Sequence, residues 1–118
     1  MSDYEFELPW PPSINSYWAT FSGRRIISKK GRQYKKDVTE ILTEIGLSGE
    51  LVEEKLSFHM TLNPPTLRRY DVDNFTKCVF DSLSNANFWV DDEQVCKLTV
   101  VKGVKSPHGN VLVKVTKL

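Results

Sequence analysis

Leu56-Ser57-Phe58-His59-Met60-Thr61-Leu62 decides the fold. Apolar Leu56, Phe58, Met60 and Leu62 alternate with Ser57, His59 and Thr61, which is the period of a half-buried strand. Pro64-Pro65 closes it, because proline has no N–H to give to a ladder. The strand has one apolar face, and the segments on either side read as elements able to cover or extend it. Upstream, Ser28 can cap a helix whose stripe is Tyr34, Val38, Ile41, Leu42 and Ile45, with Gly46 and Gly49 as stop signals. Nearer the N-terminus, Tyr4, Phe6 and Leu8 alternate with Glu5 and Glu7 until Pro9, Pro11 and Pro12 intervene. Trp10 to Phe21 reads as an ordered aromatic loop, and Arg24 to Ile27 as a short strand hairpinned through Ser22-Gly23.

Downstream, a second helix is expected from Asp73 or Asn74, either of which can cap it. Its stripe is Phe75, Cys78, Val79, Leu83 and Ala86, and Ser84-Asn85-Ala86-Asn87 ends it. Cys96, Leu98 and Val100 then alternate with Lys97 and Thr99. Val111, Val113 and Val115 do the same beyond the turn residues Ser106 to Asn110. The last two strands are expected to pair as a hairpin. The order β(β)αβαββ implies an α+β fold, with two helices on a small, mainly antiparallel or mixed sheet, in one domain over residues 1–118.

At 118 residues the chain can bury a core without staples. With 40% hydrophobic and 26% charged residues it has the composition of a soluble globular protein, and no apolar run reaches the ~20 residues of a membrane span. Its acidic start, Met1-Ser2-Asp3-Tyr4-Glu5, lacks the basic flank of a signal peptide, so a cytoplasmic location is expected. Cys78 and Cys96 fall on apolar faces without metal-ligand spacing and are read as buried free thiols of a reducing compartment. His59, on the polar side of a strand, and His108, in a turn, are read as surface histidines.

The chemistry concentrates in Arg68-Arg69-Tyr70-Asp71-Val72-Asp73-Asn74-Phe75-Thr76-Lys77 and in Asp91-Asp92. An extended backbone would put Asp71 and Asp73 on one face. Crowded carboxylates repel, and a hard divalent cation such as Mg2+ relieves that repulsion with the oxygen ligands it prefers. Arg68 and Arg69 suit a phosphate. Lys77, four residues after Asp73, lies in the first turn of the expected helix, unfavourable for the dipole and well placed for an anion. Phe88 and Trp89 can anchor the Asp91-Asp92 turn while its carboxylates face out. This kit suits phosphodiester hydrolysis: Asp71, Asp73 and Asp92 hold a metal, and Lys77 offsets charge developing on the phosphoryl oxygens. The blander reading makes the aspartates caps and turns.

Net charge is only +1, yet Leu8 to Lys36 holds no acid and carries Arg24, Arg25, Lys29, Lys30, Arg32, Lys35 and Lys36. Such a stripe suits a nucleic-acid backbone or a solvated helix face. Asn15 can reach a phosphate. Trp10, Tyr17, Trp18 and Phe21 either stack on bases or cap the core. Three functions stay open on these residues: a metal-dependent nuclease, a non-catalytic nucleic-acid-binding module, and an Asp-x-Asp enzyme acting on a nucleotide-sugar diphosphate. The last lacks a glycine-rich nucleotide loop.

The chain resembles the RusA family of Holliday junction resolvases. The similarity lies in Leu8-Pro9-Trp10-Pro11-Pro12-Ser13 with Asn15 and Tyr17, in Arg69-Tyr70-Asp71-Val72-Asp73-Asn74 with Lys77, and in Phe80-Asp81-Ser82-Leu83 through Phe88-Trp89-Val90-Asp91-Asp92-Glu93-Gln94-Val95. The resemblance implies a Mg2+-dependent homodimeric endonuclease that makes paired nicks across four-way DNA junctions, in a bacterial cell or a phage-infected one. It places the essential aspartates at Asp71, Asp73 and Asp92 and the important lysine at Lys77, with Asp91 a secondary acid. The basic run before Asp71 is shorter here than in the family, only Arg68 and Arg69. A dimer also matches the two-fold symmetry of a junction, since one chain carries a single aspartate set.

Overall fold

The Leu56–Leu62 alternation becomes the centre of the sheet. In the computed structural model, which describes residues 2–118, the elements are β1 (Tyr4–Pro9), α1 (Ile14–Tyr17), β2 (Trp18–Phe21), β3 (Arg24–Ile27), α2 (Lys29–Glu44), β4 (Leu56–Asn63), α3 (Thr76–Asn85), a 3-10 turn (Asp92–Gln94), β5 (Val95–Lys102) and β6 (Asn110–Lys117). The fold is α+β: a mixed four-stranded sheet in the order β1-β6-β4-β5, with β2 and β3 in a separate hairpin. No helix among the described residues is long and apolar enough to cross a membrane.

Leu56, Phe58, Met60 and Leu62 are buried, as are Val111, Val113 and Val115 of β6 and Leu8 of β1. Register stacks these side chains, with Phe58 opposite Val115, Met60 opposite Val113 and Leu62 opposite Val111. Tyr34, Val38 and Leu42 of α2 and Cys78, Val79 and Leu83 of α3 complete the same core. Ser28 caps α2 as its sequence implies, its Oγ accepting from Gly31 N at 3.1 Å. Gly31 is required there by close packing. A Cβ would come within 2.7 Å of Ile27 Cγ2 and 2.8 Å of Tyr17 Cδ1.

Three expectations about elements are corrected. The last two strands are not a hairpin. β6 runs antiparallel to β4 on one side, and β5 runs parallel to β4 on the other. Alternation tells which face a strand buries, not which neighbour it takes. β4, α3 and β5 thus form a parallel crossover unit, and the β4-to-α3 link contains prolines and no glycine. Second, the Trp10–Phe21 segment is not all loop. Ser13 Oγ accepts from Ser16 N and caps the short α1, and β2 pairs with β3 through Ser22-Gly23. Third, α3 starts at Thr76, after a Phe75 cap position without a side-chain bond, so neither Asp73 nor Asn74 caps it.

Two side chains also depart from expectation. Cys96 is exposed, whereas Cys78 is buried. The β4–β5 register slips between Leu56, opposite Val95, and Ser57, opposite Lys97, which leaves Cys96 as the extra residue of a bulge on an edge strand. His59 is half-buried rather than free on the surface, and its Nδ1 is buried without a partner. His108 is exposed in its turn, as expected.

Candidate active site

Lys77 lies in the first turn of α3, and its Nζ sits 3.2 Å from Asp81 Oδ1, one helical turn on. The other oxygen of that carboxylate, Oδ2, accepts from the Tyr17 hydroxyl at 2.8 Å. Tyr17 is fully buried. Burial, and then the hydrogen bond to Asp81, raise its phenol pKa, so it stays protonated and donates.

Asp92 faces the same patch. Its turn is anchored as the sequence implies, with Phe88 and Trp89 buried and Trp89 Nε1 donating to Ser84 Oγ at 2.7 Å. Gln94 completes the clamp. Its Nε2 donates to the Val52 and Glu54 carbonyls at 2.8 and 2.9 Å, while its Oε1 accepts from Asp91 N at 2.8 Å. Asp91 Oδ1 in turn accepts from Glu93 N at 3.2 Å. The result is an exposed Asp91 and a half-buried Asp92. The Asp92 carboxyl is raised above the usual range, first by burial, then by the Asp91 carboxylate and by the charge of Asp81. Lys77 pulls the other way.

Asp71 and Asp73 belong to a turn rather than to the expected extended segment: Asn74 N donates to Asp71 O at 3.1 Å, and both carboxylates are exposed. The turn is docked to α1 by Ile14 N donating to Asn74 O at 2.7 Å. Trp10 holds it from beneath, with ring centroids 4.7 Å from Phe75 and 5.7 Å from Tyr70. Trp10 and Tyr17 therefore take the core-capping alternative. Arg69, Tyr70, Asp71, Asn74 and Lys102 line a shallow cleft of about 290 Å3. Lys102 Nζ donates to Tyr70 O at 2.6 Å and lies 4.5 Å from the centroid of that ring.

Of the expected site residues, the structure brings Lys77 and Asp91 to Asp92. Asp71 and Asp73 lie on the turn that leads into α3, and they are not among the carboxylates that raise Asp92. Among the described residues, no three His, Cys, Asp or Glu side chains are gathered closely enough to hold a metal ion. The chemistry of the donors nevertheless fits a hard cation: all are carboxylate oxygens, and at Asp92 they are crowded enough to resist ionisation.

Two residues escape a reading of the sequence alone. Asp81 carries one local signal, its four-residue spacing from Lys77, and none for its bond to Tyr17. Lys102 carries none, because the end of β5 meets Tyr70 only through the crossover. Of the basic stripe, Arg24, Arg25, Lys29, Lys30, Arg32 and Lys36 are exposed and Lys35 is half-buried. Arg25 stacks over Trp18 at 4.3 Å, and Arg32 Nη1 donates to Ile27 O at 2.7 Å. Asn15, Arg68 and Arg69 are exposed.

Comparison with known proteins agrees with the motif reading. The family model for endodeoxyribonuclease RusA matches residues 9–116. The chain is 40% identical over 118 residues to a crossover junction endodeoxyribonuclease of Enterobacteria phage HK97, an alignment that takes in all of this chain and 98% of that one. Enzymes of the same name from Shigella sonnei (strain Ss046) and Escherichia coli (strain K12) are 38% and 37% identical over 122 residues, again across all of this chain and 98% of theirs. With its sequence matched from end to end and the Lys77–Asp92 patch assembled around α3, the chain belongs to the RusA family of endodeoxyribonucleases.

Proposed function

We propose that the protein is a Mg2+-dependent crossover junction endodeoxyribonuclease, acting as a homodimer that resolves four-way DNA junctions by paired symmetric nicks. In this reading it serves DNA recombination and repair in the cytoplasm of a bacterium or a phage-infected bacterium. The observation that carries it is the half-buried Asp92, whose ionisation is opposed by burial, by the neighbouring Asp91 carboxylate and by the charge of Asp81, which itself pairs with the Lys77 ammonium. Such a group gains most from a bound cation, and the full-length relatives bear the names of junction endonucleases.

Asp92, with Asp71 and Asp73 from the turn before α3, would hold the Mg2+. When bound, the ion supplies Lewis acidity toward a phosphoryl oxygen. The residues of the chain do the rest. Lys77 presents a cation where negative charge grows on the phosphoryl group. Arg69 and Lys102, which line the same cleft as Asp71, draw the strand into it. Arg24, Arg25, Lys29, Lys30, Arg32, Lys35 and Lys36, with Asn15 and Arg68, track the backbone of an arm. A second subunit supplies the matching aspartate set for the opposite strand.

A gel assay of four-way, three-way and duplex DNA tests this reading. Wild-type protein is expected to cut the four-way junction in Mg2+ and not in EDTA. Asp71→Asn is expected to abolish cutting and retain junction binding. Junction binding with no EDTA-sensitive cutting would replace this reading with that of a binding module.

A further inference from the structure

The Lys77–Asp81 pair is poorly arranged for helix stability. A cation in the first turn opposes the helix dipole, and an acid-before-base order suits i,i+4 pairs better than the base-before-acid order found here. Asp81 nevertheless has both oxygens engaged, Oδ1 with Lys77 and Oδ2 with Tyr17. Tyr17 is immobile, since it is fully buried and lies against α2 where Gly31 lets it approach. Asp81 is therefore held from the core, with its side chain 20% exposed against 51% for Lys77. A lysine ammonium on a four-carbon stem, half in solvent, samples many rotamers unless something confines it. Here the confining carboxylate is tied to the interior.

We infer that Asp81 is a positioning residue of the cleavage site: anchored by Tyr17, it fixes the position of the Lys77 ammonium at the start of α3. The inference rests on the functional reading above and adds a residue to it. It separates Asp81 from the carboxylates assigned to the metal, because its two oxygens are committed to Tyr17 and Lys77.

The test is single-turnover cleavage of a synthetic four-way junction in Mg2+, with junction affinity measured separately in EDTA. Asp81→Asn still offers Tyr17 an acceptor, so the fold is retained while the attraction for Lys77 is lost. Its cleavage rate is expected to fall about 10- to 100-fold, the usual scale for a small misplacement of a reacting group, with affinity changed less than about threefold. Tyr17→Phe is expected to give a smaller fall, and Asp81→Glu a partial rescue. In a Lys77→Ala background, Asp81→Asn is expected to change the residual rate less than about twofold, because the two act as a unit. An unchanged rate in Asp81→Asn overturns the inference, and so does an equal loss in the Lys77→Ala background. Loss in Asp81→Asn of a Mg2+-induced rise in Tm also overturns it, by making Asp81 a metal ligand. A wild-type protein that cuts no junction sinks the functional reading itself, whereas normal wild-type cutting with Asp81→Asn unaffected sinks this inference alone.

Discussion

Tyr17 and Asp81 stand 64 residues apart in the chain and are joined by a 2.8 Å hydrogen bond. With Ile14 N donating to Asn74 O, it ties α1 to both ends of the segment that carries the acids and the lysine. α1 is only four residues long, too short to persist by itself, so its order derives from these contacts and from the Ser13 cap. In return it fixes where α3 begins relative to the Asp71 turn. The site is thus braced by a piece of chain that carries no catalytic group.

Gly31→Ala should disturb that brace. The added methyl would meet the Tyr17 ring and Ile27 at under 3 Å, and the Tyr17 ring, fully buried, cannot swing into solvent. Overpacking of this kind destabilises by about 1–3 kcal/mol. The expected outcome is a lower urea midpoint together with slower junction cleavage, both read on the purified variant. Unchanged stability would show that Tyr17 is not held as tightly as its packing implies.

Asp92 should make stability depend on pH in a definite direction. Burial, the Asp91 carboxylate and the Asp81 charge raise its folded-state pKa, so the folded protein binds that proton more tightly than the unfolded chain does. The contribution is therefore fully present below the ordinary carboxylate range and is lost as pH rises through the raised value. At neutral pH the ionised group weighs against the fold. Asp92→Asn should have a higher Tm than wild type at pH 7, and the gap should close as the pH falls through the carboxylate range. Millimolar Mg2+ should raise the wild-type Tm and leave that of Asp92→Asn unmoved. Calorimetry across pH with and without Mg2+ decides both points.

Cysteine reactivity should split cleanly. Burial pushes the Cys78 thiol up to about 12, with its hydrogen bond to Ser82 opposing that, while Cys96 is exposed on the bulge. A thiol reagent at pH 8 is expected to modify one cysteine per chain quickly in the native state and the second only on unfolding. Cys96→Ser should remove the fast phase. Fast reaction of both thiols would contradict the packing of α3 on the sheet.

Binding should be strongly salt-dependent, because phosphate contacts release counterions. Lys30→Ala removes one exposed charge of the stripe without touching the acids. It is expected to weaken junction binding and to reduce the slope of log affinity against log salt by about one unit. A slope unchanged by Lys30→Ala and by Arg24→Ala would move the DNA away from this face.

Much of the fold was legible one element at a time. The two-residue alternation at Tyr4–Leu8, Leu56–Leu62 and Val111–Val115, the Ser28 cap and the Ser22-Gly23 hairpin are local signals, and the structure carries them as read. Misreadings came where two segments had to be known together. Cys96 reads as apolar-facing until the slip against Leu56 turns it outward. Asp73 reads as a cap until the Phe75 ring, packed against Trp10, takes the cap position and α3 starts at Thr76.

The acids and the lysine of the candidate site, and the alternation that makes β4 a core strand, follow from the sequence alone, because residue type and spacing are properties of a few neighbouring peptide units. Only the tertiary structure decided that β4 separates β5 from β6, that Asp92 comes within the field of Lys77 and Asp81, and that Tyr17 reaches Asp81 from the core. Each of these joins segments far apart in the chain. The choice among such pairings is made by burial of the whole apolar face at once, which no short window of residues encodes.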